Sequence, residues 1–492
     1  MKKELRDMLK AHGRTQLPHV LLASAECAPL SKTGGLADVV GTLPKALKKL
    51  GMDARVITPY HKVIKEKYGD QVEHLFDFYC DLGWRHAYVG IEKLEKDGVI
   101  IYLVDNEQYY GDRIYLGGEA EGEQYSFFCR AVLDALPHLG FEVDIIHCND
   151  WHTAMIPMLA RTQYKGGIQE KLHFLLTIHN IAFQGKFGFG FVQDMLGVDP
   201  MYYTPEYLEL NGCADYLKCG CVFADRINTV SPTYAAEIMT PYYAEGLEGI
   251  LNARSAQLSG IINGIDRDVF NPHSDKHIPA RFDKGHLGGK AMCKSALQER
   301  LGLEPRHDVP LFAMVTRMTE QKGFDLVARV IDDFMQNNDA QFVLLGTGDT
   351  SYECFMREAE KRYPGRLCSY IGYNDELAHQ IYAGSDFYLM PSRFEPCGLS
   401  QMIAMRYGTV PIVRETGGLK DTVTPYNRFT GEGNGFSFAN YDAQELRDAM
   451  QLAMSCWDKT DVMRSLMKNA MEADFGFDRS AMEYAKLFID ML

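Results

Sequence analysis

A glutamate in the last third of the sequence follows a short apolar run, in a position where ligands bind in many α/β proteins. The run Phe387–Met390 precedes a loop that contains Glu395, and a helical pattern follows at residues 399–407. This order predicts a strand, a turn and a helix. In a doubly wound sheet, the turns after the strands hold the ligand, and a helix N-terminus beside such a turn favours an anion. Glu395 is therefore a candidate for ligand chemistry.

Two similar turns carry paired glycines, one near the start of the chain and one near its end. Residues 33–40 read TGGLADVV and residues 416–423 read TGGLKDTV. Each segment follows a predicted strand and opens a predicted helix, so Gly34, Gly35, Gly417 and Gly418 free backbone N–H groups to approach a ligand. Packing of a helix on a strand explains either turn alone equally well. The presence of both turns favours ligand contact.

The elements that position these groups alternate between short apolar runs and helix-length segments. The runs are residues 19–25, 54–58, 99–104, 144–147, 172–178, 226–230, 311–316, 341–345, 367–371, 387–390 and 409–413. This alternation predicts parallel sheets with crossover helices, arranged as two Rossmann-like lobes. A junction is predicted at residues 262–266, where turn residues follow a strand. Helices are predicted at residues 283–301 and 478–492, and we expect the second to pack back across the lobes.

Composition restricts the classes of function. A chain of 492 residues with 46% hydrophobic content is long enough for two or more domains, and its formal charge of −15 argues against a nucleic-acid surface. The first apolar run is too short for a signal sequence or a membrane span, so we expect a cytoplasmic protein without a membrane partner. The 12 cysteines are scattered without C-x-x-C spacing, which favours buried thiols over a zinc site.

Seven short motifs in order along the chain carry a resemblance to a known family. They are Lys32-Thr33-Gly34-Gly35-Leu36, Asn149-Asp150-Trp151-His152, Thr177-Ile178-His179-Asn180, Thr229-Val230-Ser231-Pro232, Asn263-Gly264-Ile265-Asp266, RMTEQKG at residues 317–323, and Glu395-Pro396-Cys397-Gly398-Leu399. Together they resemble the bacterial glycogen synthases of glycosyltransferase family 5, shared with plant starch synthases. The resemblance implies a GT-B fold with the active site in the interlobe cleft. It also implies transfer of glucose from ADP-glucose to the 4-hydroxyl of an α-1,4-glucan end, with retention of configuration.

The resemblance and the chemistry together assign roles to the charged residues. Cleavage of a sugar–phosphate bond leaves charge on the departing diphosphate, which fixed cations stabilise. Arg317 and Lys322 follow strand 311–316, and they are the predicted diphosphate clamp. By the resemblance, Lys32 binds the nucleotide sugar from the other lobe. Asp150 and His179 both follow predicted strands, and we expect them to grip hydroxyl groups of the transferred sugar.

By the same resemblance, Glu395 lies beside the donor sugar. A carboxylate there binds sugar hydroxyls and stabilises the positive charge that develops on the ring. We favour front-face displacement, in which the leaving phosphate helps to deprotonate the acceptor, although the sequence does not decide between this route and a covalent intermediate. Cys397 is interpreted as a packing or loop residue rather than as a nucleophile.

The resemblance extends the donor site to residues with backbone or neutral polar groups. The residues predicted to bind ADP-glucose are Lys32, Gly34, Gly35, Asn263, Tyr373, Cys397, Gly398, Leu399, Ser400, Gly417 and Gly418. Tyr373 is the candidate for contact with the base, and Ser400 for the phosphates. The sequence Asp266-Arg267-Asp268 imitates a metal-binding motif, but Asp at a junction more often caps a turn. We therefore expect no metal and no cofactor.

Two other classes of function are compatible with parts of this pattern. One is a different two-lobed transferase, such as a UDP-glucose enzyme or a phosphorylase, and the other is a non-catalytic glucan-binding scaffold. The expected domains are residues 1–263 on the acceptor side, 264–477 on the donor side, and a terminal helix at 478–492. The expected partners are ADP-glucose and glycogen. The sequence leaves the oligomeric state and the certain choice between ADP and UDP open.

Overall fold

A computed structural model describes residues 2–492 and divides them into two compact units. The first unit contains the chain up to Gly264 together with residues 477–492, and the second contains residues 265–476. Each unit has its own parallel sheet with helices on both faces, which is the mixed α/β architecture that the alternation of apolar runs predicts. No helix within residues 2–492 is long and apolar enough to cross a membrane.

The first unit is built on a nine-stranded sheet and a small three-stranded sheet. The strands are β1 (Val20–Ala23), β2 (Ala54–Pro59), β3 (Glu73–Leu82), β4 (Arg85–Lys96), β5 (Val99–Asp105), β6 (Ile145–Asn149), β7 (His173–Ile178), β8 (Lys186–Phe187), β9 (Glu209–Leu210), β10 (Cys213–Asp215), β11 (Arg226–Thr229) and β12 (Leu258–Gly260). The large sheet has the order β12-β11-β7-β6-β1-β2-β5-β4-β3. In the large sheet the pairs β3–β4 and β4–β5 are antiparallel and the other pairs are parallel, while the small sheet is antiparallel.

Helices cover the faces of this sheet. They are α1 (Lys3–Ala11), α2 (Gly35–Lys49), α3 (Lys62–Tyr68), α4 (Gly118–Ala135), α5 (Met155–Thr162), α6 (Phe189–Leu196), α7 (Tyr216–Phe223), α8 (Pro232–Glu237) and α9 (Glu248–Ala253). Burial on both faces explains why strands such as β1, with four buried apolar residues, are continuous apolar runs in the sequence. Helix α8 begins with Pro232, and the Ser231 hydroxyl caps it by accepting from the Tyr234 N–H at 3.1 Å.

The second unit contains six parallel strands in the order β15-β14-β13-β16-β17-β18. The strands are β13 (Leu311–Val315), β14 (Gln341–Gly346), β15 (Leu367–Ile371), β16 (Phe387–Met390), β17 (Val410–Arg414) and β18 (Phe436–Phe438). The helices are α10 (Gly288–Arg300), α11 (Phe324–Asn337), α12 (Thr350–Arg362), α13 (Asp375–Gly384), α14 (Ser400–Arg406), α15 (Gly417–Thr422), α16 (Ala443–Trp457) and α17 (Thr460–Glu472). Residues three and four apart on α11 are buried, which explains its amphipathic sequence.

The last helix, α18 (Phe477–Asp490), belongs to the first unit. Its buried residues Phe477, Tyr484 and Phe488 join the core formed by β1, β2 and α2. The Tyr484 hydroxyl accepts a hydrogen bond from Asn228 Nδ2 at 3.0 Å. The helix predicted at residues 478–492 is therefore present, and it belongs to the first unit.

Several parts of the fold differ from the sequence prediction, among them the short strands β8, β9 and β10, which it does not include. The hairpin β3–β4 and the edge strand β18 are additional, because half-exposed edge strands lack a continuous apolar run. The predicted helix at residues 283–301 is shorter, since a turn closed by the Asp283 side chain precedes α10. One prediction in the neighbouring segment does agree with the structure. The Asp266 side chain accepts from the N–H groups of Asp268 and Val269, which is the turn-capping role predicted for Asp266-Arg267-Asp268.

Ten of the 12 cysteines are buried, while Cys213 is half-buried and Cys354 is exposed. Burial raises the pKa of the Cys129 and Cys221 thiols to about 12, which keeps them protonated at neutral pH. No group of three or more His, Cys, Asp or Glu side chains suited to a metal ion is present within residues 2–492.

Candidate active site

In each unit, predicted site residues lie at the carboxyl edge of the sheet, and several of them follow the strands beside the point where the strand order reverses. In the first unit this point lies between β1 and β6, because β1 leads towards β2 and β5 while β6 leads towards β7 and β11. In the second unit it lies between β13 and β16. Connections leave such a point in opposite directions, which opens a crevice for ligands at the carboxyl ends of the strands.

Asp150 directly follows β6 and is held in a constrained conformation. Its φ is +57°, a value that residues other than glycine rarely adopt. Its Oδ1 accepts hydrogen bonds from the backbone N–H of His179 at 2.7 Å and of Asn180 at 3.4 Å. Burial raises the pKa of the Asp150 carboxyl to about 7, partly opposed by these hydrogen bonds. Asp150 thus links the ends of β6 and β7 and titrates near neutral pH.

His179 follows β7 and is fixed by the neighbouring strand. Its Nε2 lies 2.9 Å from Asn149 Oδ1, and Asn149 donates its amide hydrogens to the carbonyls of Ala23 and His147. Because Asn149 Oδ1 is therefore an acceptor, we assign the ring hydrogen of His179 to Nε2, which leaves Nδ1 as an acceptor. Burial lowers the pKa of His179 to about 3, so the imidazole is neutral. A neutral imidazole in this position can accept a hydrogen bond from a sugar hydroxyl.

The glycine turn after β1 is organised by Glu26, a residue that the sequence analysis does not identify. The buried Glu26 carboxylate accepts from the Thr33 N–H, from the Thr33 hydroxyl at 2.6 Å, from the Gly34 N–H at 3.2 Å and from the Tyr115 hydroxyl. In this structure the Gly34 N–H donates to Glu26, and its predicted contact with the donor stays a prediction. Gly35 begins α2 and has an N–H at the helix N-terminus.

Lys32 lies on the exposed side of the same turn. Its Nζ is 2.8 Å from Asp38 Oδ1, and both side chains are partly exposed. This ion pair lies at the N-terminal end of α2, where Lys32 can reach an anion if it exchanges partners. Surface pairs of this kind contribute on the order of 0–1 kcal/mol, so the exchange costs little.

The second unit places Lys322 and Glu395 on the two sides of its reversal point. Lys322 ends a short 3-10 turn after β13, and Glu395 lies in the loop after β16. Lys322 Nζ lies 2.6 Å from Glu395 Oε2, and the Ser392 hydroxyl donates to the same oxygen at 3.0 Å. Glu395 is 6% exposed. The pair puts a cation and a carboxylate within one crevice, and the remaining N–H groups of Lys322 can meet an anionic ligand.

Close backbone contacts fix the loop that carries Glu395. Gly417 has φ +45°, and a Cβ added there would lie 1.9 Å from the carbonyl oxygen of Glu395. The Gly418 N–H donates to this carbonyl at 3.1 Å, and a Cβ on Gly418 would lie 2.1 Å from the carbonyl oxygen of Cys397. The predicted glycine pair after β17 therefore packs against the loop that carries Glu395, and packing accounts for both glycines.

The remaining predicted residues of the second unit surround this loop. Cys397 is buried, and Gln401 Nε2 donates to the carbonyls of Cys397 at 3.1 Å and of Gly398 at 2.8 Å. Gly398 has φ +74°, Leu399 precedes α14, and Ser400 begins it. Arg317 is exposed after β13, and Tyr373 is 84% exposed after β15. The second unit thus brings Arg317, Lys322, Tyr373, Glu395 and the residues 397–400 and 417–418 to one edge of its sheet.

Asn263 belongs to the first unit, at the end of the segment after β12. It is buried, and its Oδ1 has no hydrogen-bond partner within residues 2–492. A buried amide oxygen without a partner is costly, which is consistent with a role in binding. Its predicted contact with the donor stays a prediction.

Three polar residues at the two edges are absent from the sequence prediction. Glu26 accepts a hydrogen bond from the Thr33 hydroxyl, and the Tyr115 hydroxyl donates to Glu26. The Ser392 hydroxyl donates to Glu395. The sequence could have indicated Glu26 as a site residue, because it lies three residues after β1, at the same edge of the sheet as Asp150. Tyr115 and Ser392 become visible only when the loops fold.

Two doubly wound units in one chain, with polar side chains at the reversal point of each sheet, define the class of GT-B glycosyltransferases. Residues 19–253 match the family model of the starch synthase catalytic domain, and residues 298–471 match that of glycosyl transferases group 1. The chain is similar to the glycogen synthases of Geobacillus thermodenitrificans and Geobacillus stearothermophilus, each 47% identical over 474 residues, covering 96% of this chain and 98% of the relative. The chain belongs to the glycogen synthase family.

Solved structures agree with this assignment. The catalytic domain of starch synthase IV from Arabidopsis thaliana, bound to ADP and acarbose, has a TM-score of 0.90 and 32% identity, covering 97% of this chain and 99% of that one. The sucrose-phosphate synthase of Thermosynechococcus elongatus has a TM-score of 0.61 at 18% identity, covering 96% of this chain and 98% of that one, which shows the fold alone.

Proposed function

We propose that this protein elongates an α-1,4-glucan by transferring glucose from ADP-glucose to the 4-hydroxyl of the non-reducing end, with release of ADP. The observation that carries the proposal is the ion pair between the half-buried Lys322 and the buried Glu395 at the reversal point of the second sheet. A retaining transferase requires a cation for the departing diphosphate and a carboxylate for the positive charge on the sugar ring. This pair supplies both charges at one position.

The leaving group is stabilised by cations. Charge that builds up on the diphosphate oxygen during bond cleavage is met by Lys322 and by the exposed Arg317, which both follow β13. Fixed charges that do not need to reorganise during the reaction stabilise the transition state more than water does. Lys32 in the first unit is the third cation that we assign to the diphosphate.

Glu395 acts on the glucosyl group. Its Oε2 accepts from Lys322 and Ser392, and we assign its other oxygen to the ligand. As the bond to the diphosphate breaks, the ring becomes oxocarbenium-like, and the carboxylate stabilises it more strongly in the transition state than in the ground state. We propose front-face displacement, in which a phosphate oxygen takes the proton of the acceptor hydroxyl.

The first unit orients the transferred sugar. Asp150 and the neutral His179 are acceptors fixed by backbone and side-chain hydrogen bonds at adjacent strand ends. Acceptors of fixed geometry select sugar hydroxyls and hold the anomeric carbon for attack. Since the diphosphate is met by Lys and Arg side chains, we propose that the reaction needs no metal and no cofactor.

The nucleotide is assigned to adenosine because the chain belongs to the glycogen synthase family and resembles a starch synthase domain solved with ADP. The test is to incubate the purified protein with glycogen and either ADP-glucose or UDP-glucose and to measure nucleotide release. We expect release that depends on glycogen and is faster with ADP-glucose. A higher rate with UDP-glucose would show that UDP-glucose is the preferred donor. No nucleotide release with either donor would favour a non-catalytic glucan-binding scaffold.

A further inference from the structure

The hairpin β3–β4 extends past the carboxyl edge of the first unit's sheet. Strand β4 pairs with β5 from Gly90, opposite Asp105 at the end of β5, to Lys96. The preceding residues of β4 therefore continue beyond β5 by five positions, about 16 Å at the usual rise of a strand. Asp150 also lies at this edge, directly after β6. Since β4 is four strand positions from β6, about 19 Å separates them across the sheet.

The tip of the hairpin is anchored rather than loose. Arg85 Nε lies 3.2 Å from Glu123 of α4, and Arg85 Nη1 lies 3.0 Å from Asp194 of α6. Gly83, with φ +61°, approaches α6 so closely that a Cβ would lie 1.8 Å from the carbonyl oxygen of Asp194. The tip thus has a fixed position relative to α4. That helix also carries Glu121, which lies 3.7 Å from His152 in the segment after Asp150.

The outward side of this hairpin displays four side chains with rings and one carboxylate, which we call the hairpin face: Tyr79, Asp81, Trp84, His86 and Tyr88. Trp84 is 79% exposed and Tyr79 is 58% exposed. The Tyr79 and His86 rings stack at 4.8 Å with an interplanar angle of 6°. His86 Nδ1 lies 2.8 Å from Asp81 Oδ1, which fixes the histidine ring. Large exposed aromatic side chains on a rigid support indicate a binding surface.

We propose that the hairpin face binds a glucan chain at a distance from its reacting end. Pyranose rings present apolar C–H faces that pack on aromatic rings, and their hydroxyl groups donate to carboxylates such as Asp81. The Asp81 carboxylate disfavours anionic partners, including nucleotides and acidic lipids. A neutral polyhydroxylated polymer matches both features, and the face lies at the same edge as Asp150. The inference rests on the proposed function and extends it to the inner part of the acceptor.

Such a surface raises the effective concentration of chain ends at the catalytic edge. It therefore acts on polymers and not on short acceptors. A trisaccharide is shorter than the distance between the two positions, so maltotriose cannot occupy both at once. This difference separates a remote binding surface from a residue that takes part in the chemistry.

The test compares glycogen with maltotriose as acceptor for wild type and Trp84→Ala. We expect the KM for glycogen to rise about tenfold, equivalent to about 1.4 kcal/mol of lost stacking, with kcat unchanged. The kcat/KM for maltotriose should stay within twofold, roughly the scatter expected of a surface substitution. Trp84→Phe should restore most of the affinity. Met292→Ala, which removes another exposed side chain, is the matched control.

Electrophoresis in gels containing glycogen, without donor, measures binding independently of catalysis. We expect retardation of wild type and weaker retardation of Trp84→Ala. Equal retardation of the two proteins, or an equal loss of activity with both acceptors, would overturn the inference. If wild type releases no nucleotide with any acceptor, the proposed function fails, while the gel still tests the hairpin face.

Discussion

Replacement of Glu395 by glutamine tests the charge that the proposed chemistry requires. Glutamine has nearly the same shape, and its amide oxygen can still accept from Lys322 and Ser392, which lie 2.6 Å and 3.0 Å from the present Oε2. The substitution therefore removes the negative charge with little change in the packing of the loop. The backbone contacts with Gly418 remain as well.

The expected effect on catalysis exceeds the expected effect on stability. Loss of one preorganised electrostatic partner lowers kcat by ~10²–10³, or about 2.7–4 kcal/mol. Replacing a charge-assisted hydrogen bond by a neutral one costs on the order of 1 kcal/mol of folding free energy. We therefore expect a large fall in kcat, a small change in the KM for donor and a folded protein at the assay temperature.

The assay is the initial rate of ADP release over a range of ADP-glucose concentrations at saturating glycogen, with thermal denaturation measured on the same samples. Glu376→Gln is the matched control, since it removes the charge from an exposed pair with Arg300 in the same unit. A normal kcat with only a raised KM for donor would assign Glu395 to ground-state binding and refute the reasoning.

Three further predictions concern pH, loop geometry and metal. Burial raises the pKa of Asp150 to about 7 in the folded protein, against about 3.9 in the unfolded chain. Between these two pH values the folded state binds more protons than the unfolded state. The free energy of unfolding should therefore fall as the pH rises from about 4 to 7. Urea denaturation should show a weaker decline in Asp150→Asn, and an identical decline in both proteins would contradict the assignment. Gly417→Ala should lower kcat by about 10²-fold, because the added Cβ displaces the loop that carries Glu395. The control is Gly431→Ala, which should retain activity because Gly431 also has a positive φ but has open space around it. Activity should persist in EDTA, and a loss that Mg²⁺ or Mn²⁺ reverses would require a metal.

The sequence predicts most strands near the reversal points because these strands are buried on both faces and form apolar runs. Strand β6 and strand β16 are examples, and the candidate residues that follow them lie at the predicted edges. The hairpin β3–β4 has the opposite character, since most of its residues are exposed or half-buried and several are charged. A search for apolar runs therefore passes over it.

The contacts of the glycine turn could not be predicted from local patterns. The Glu26 carboxylate is shared between Thr33 and Gly34, a few residues away, and Tyr115, which is 89 positions distant. The Tyr115 hydroxyl reaches the Glu26 carboxylate only because the loop after β5 brings it there. The motif indicates a turn near a ligand, but the partner of each N–H group follows only from the folded chain.

The position of α18 in the first unit has a consequence for how the protein folds during synthesis. The core around β1 and α2 lacks Phe477, Tyr484 and Phe488 until the last residues have been made. The second unit consists of one continuous segment and can fold as soon as it emerges from the ribosome. The amino-terminal unit, although made first, is therefore the later of the two to be completed, and a chain cut before residue 477 would keep the whole second unit and lack one core helix of the first.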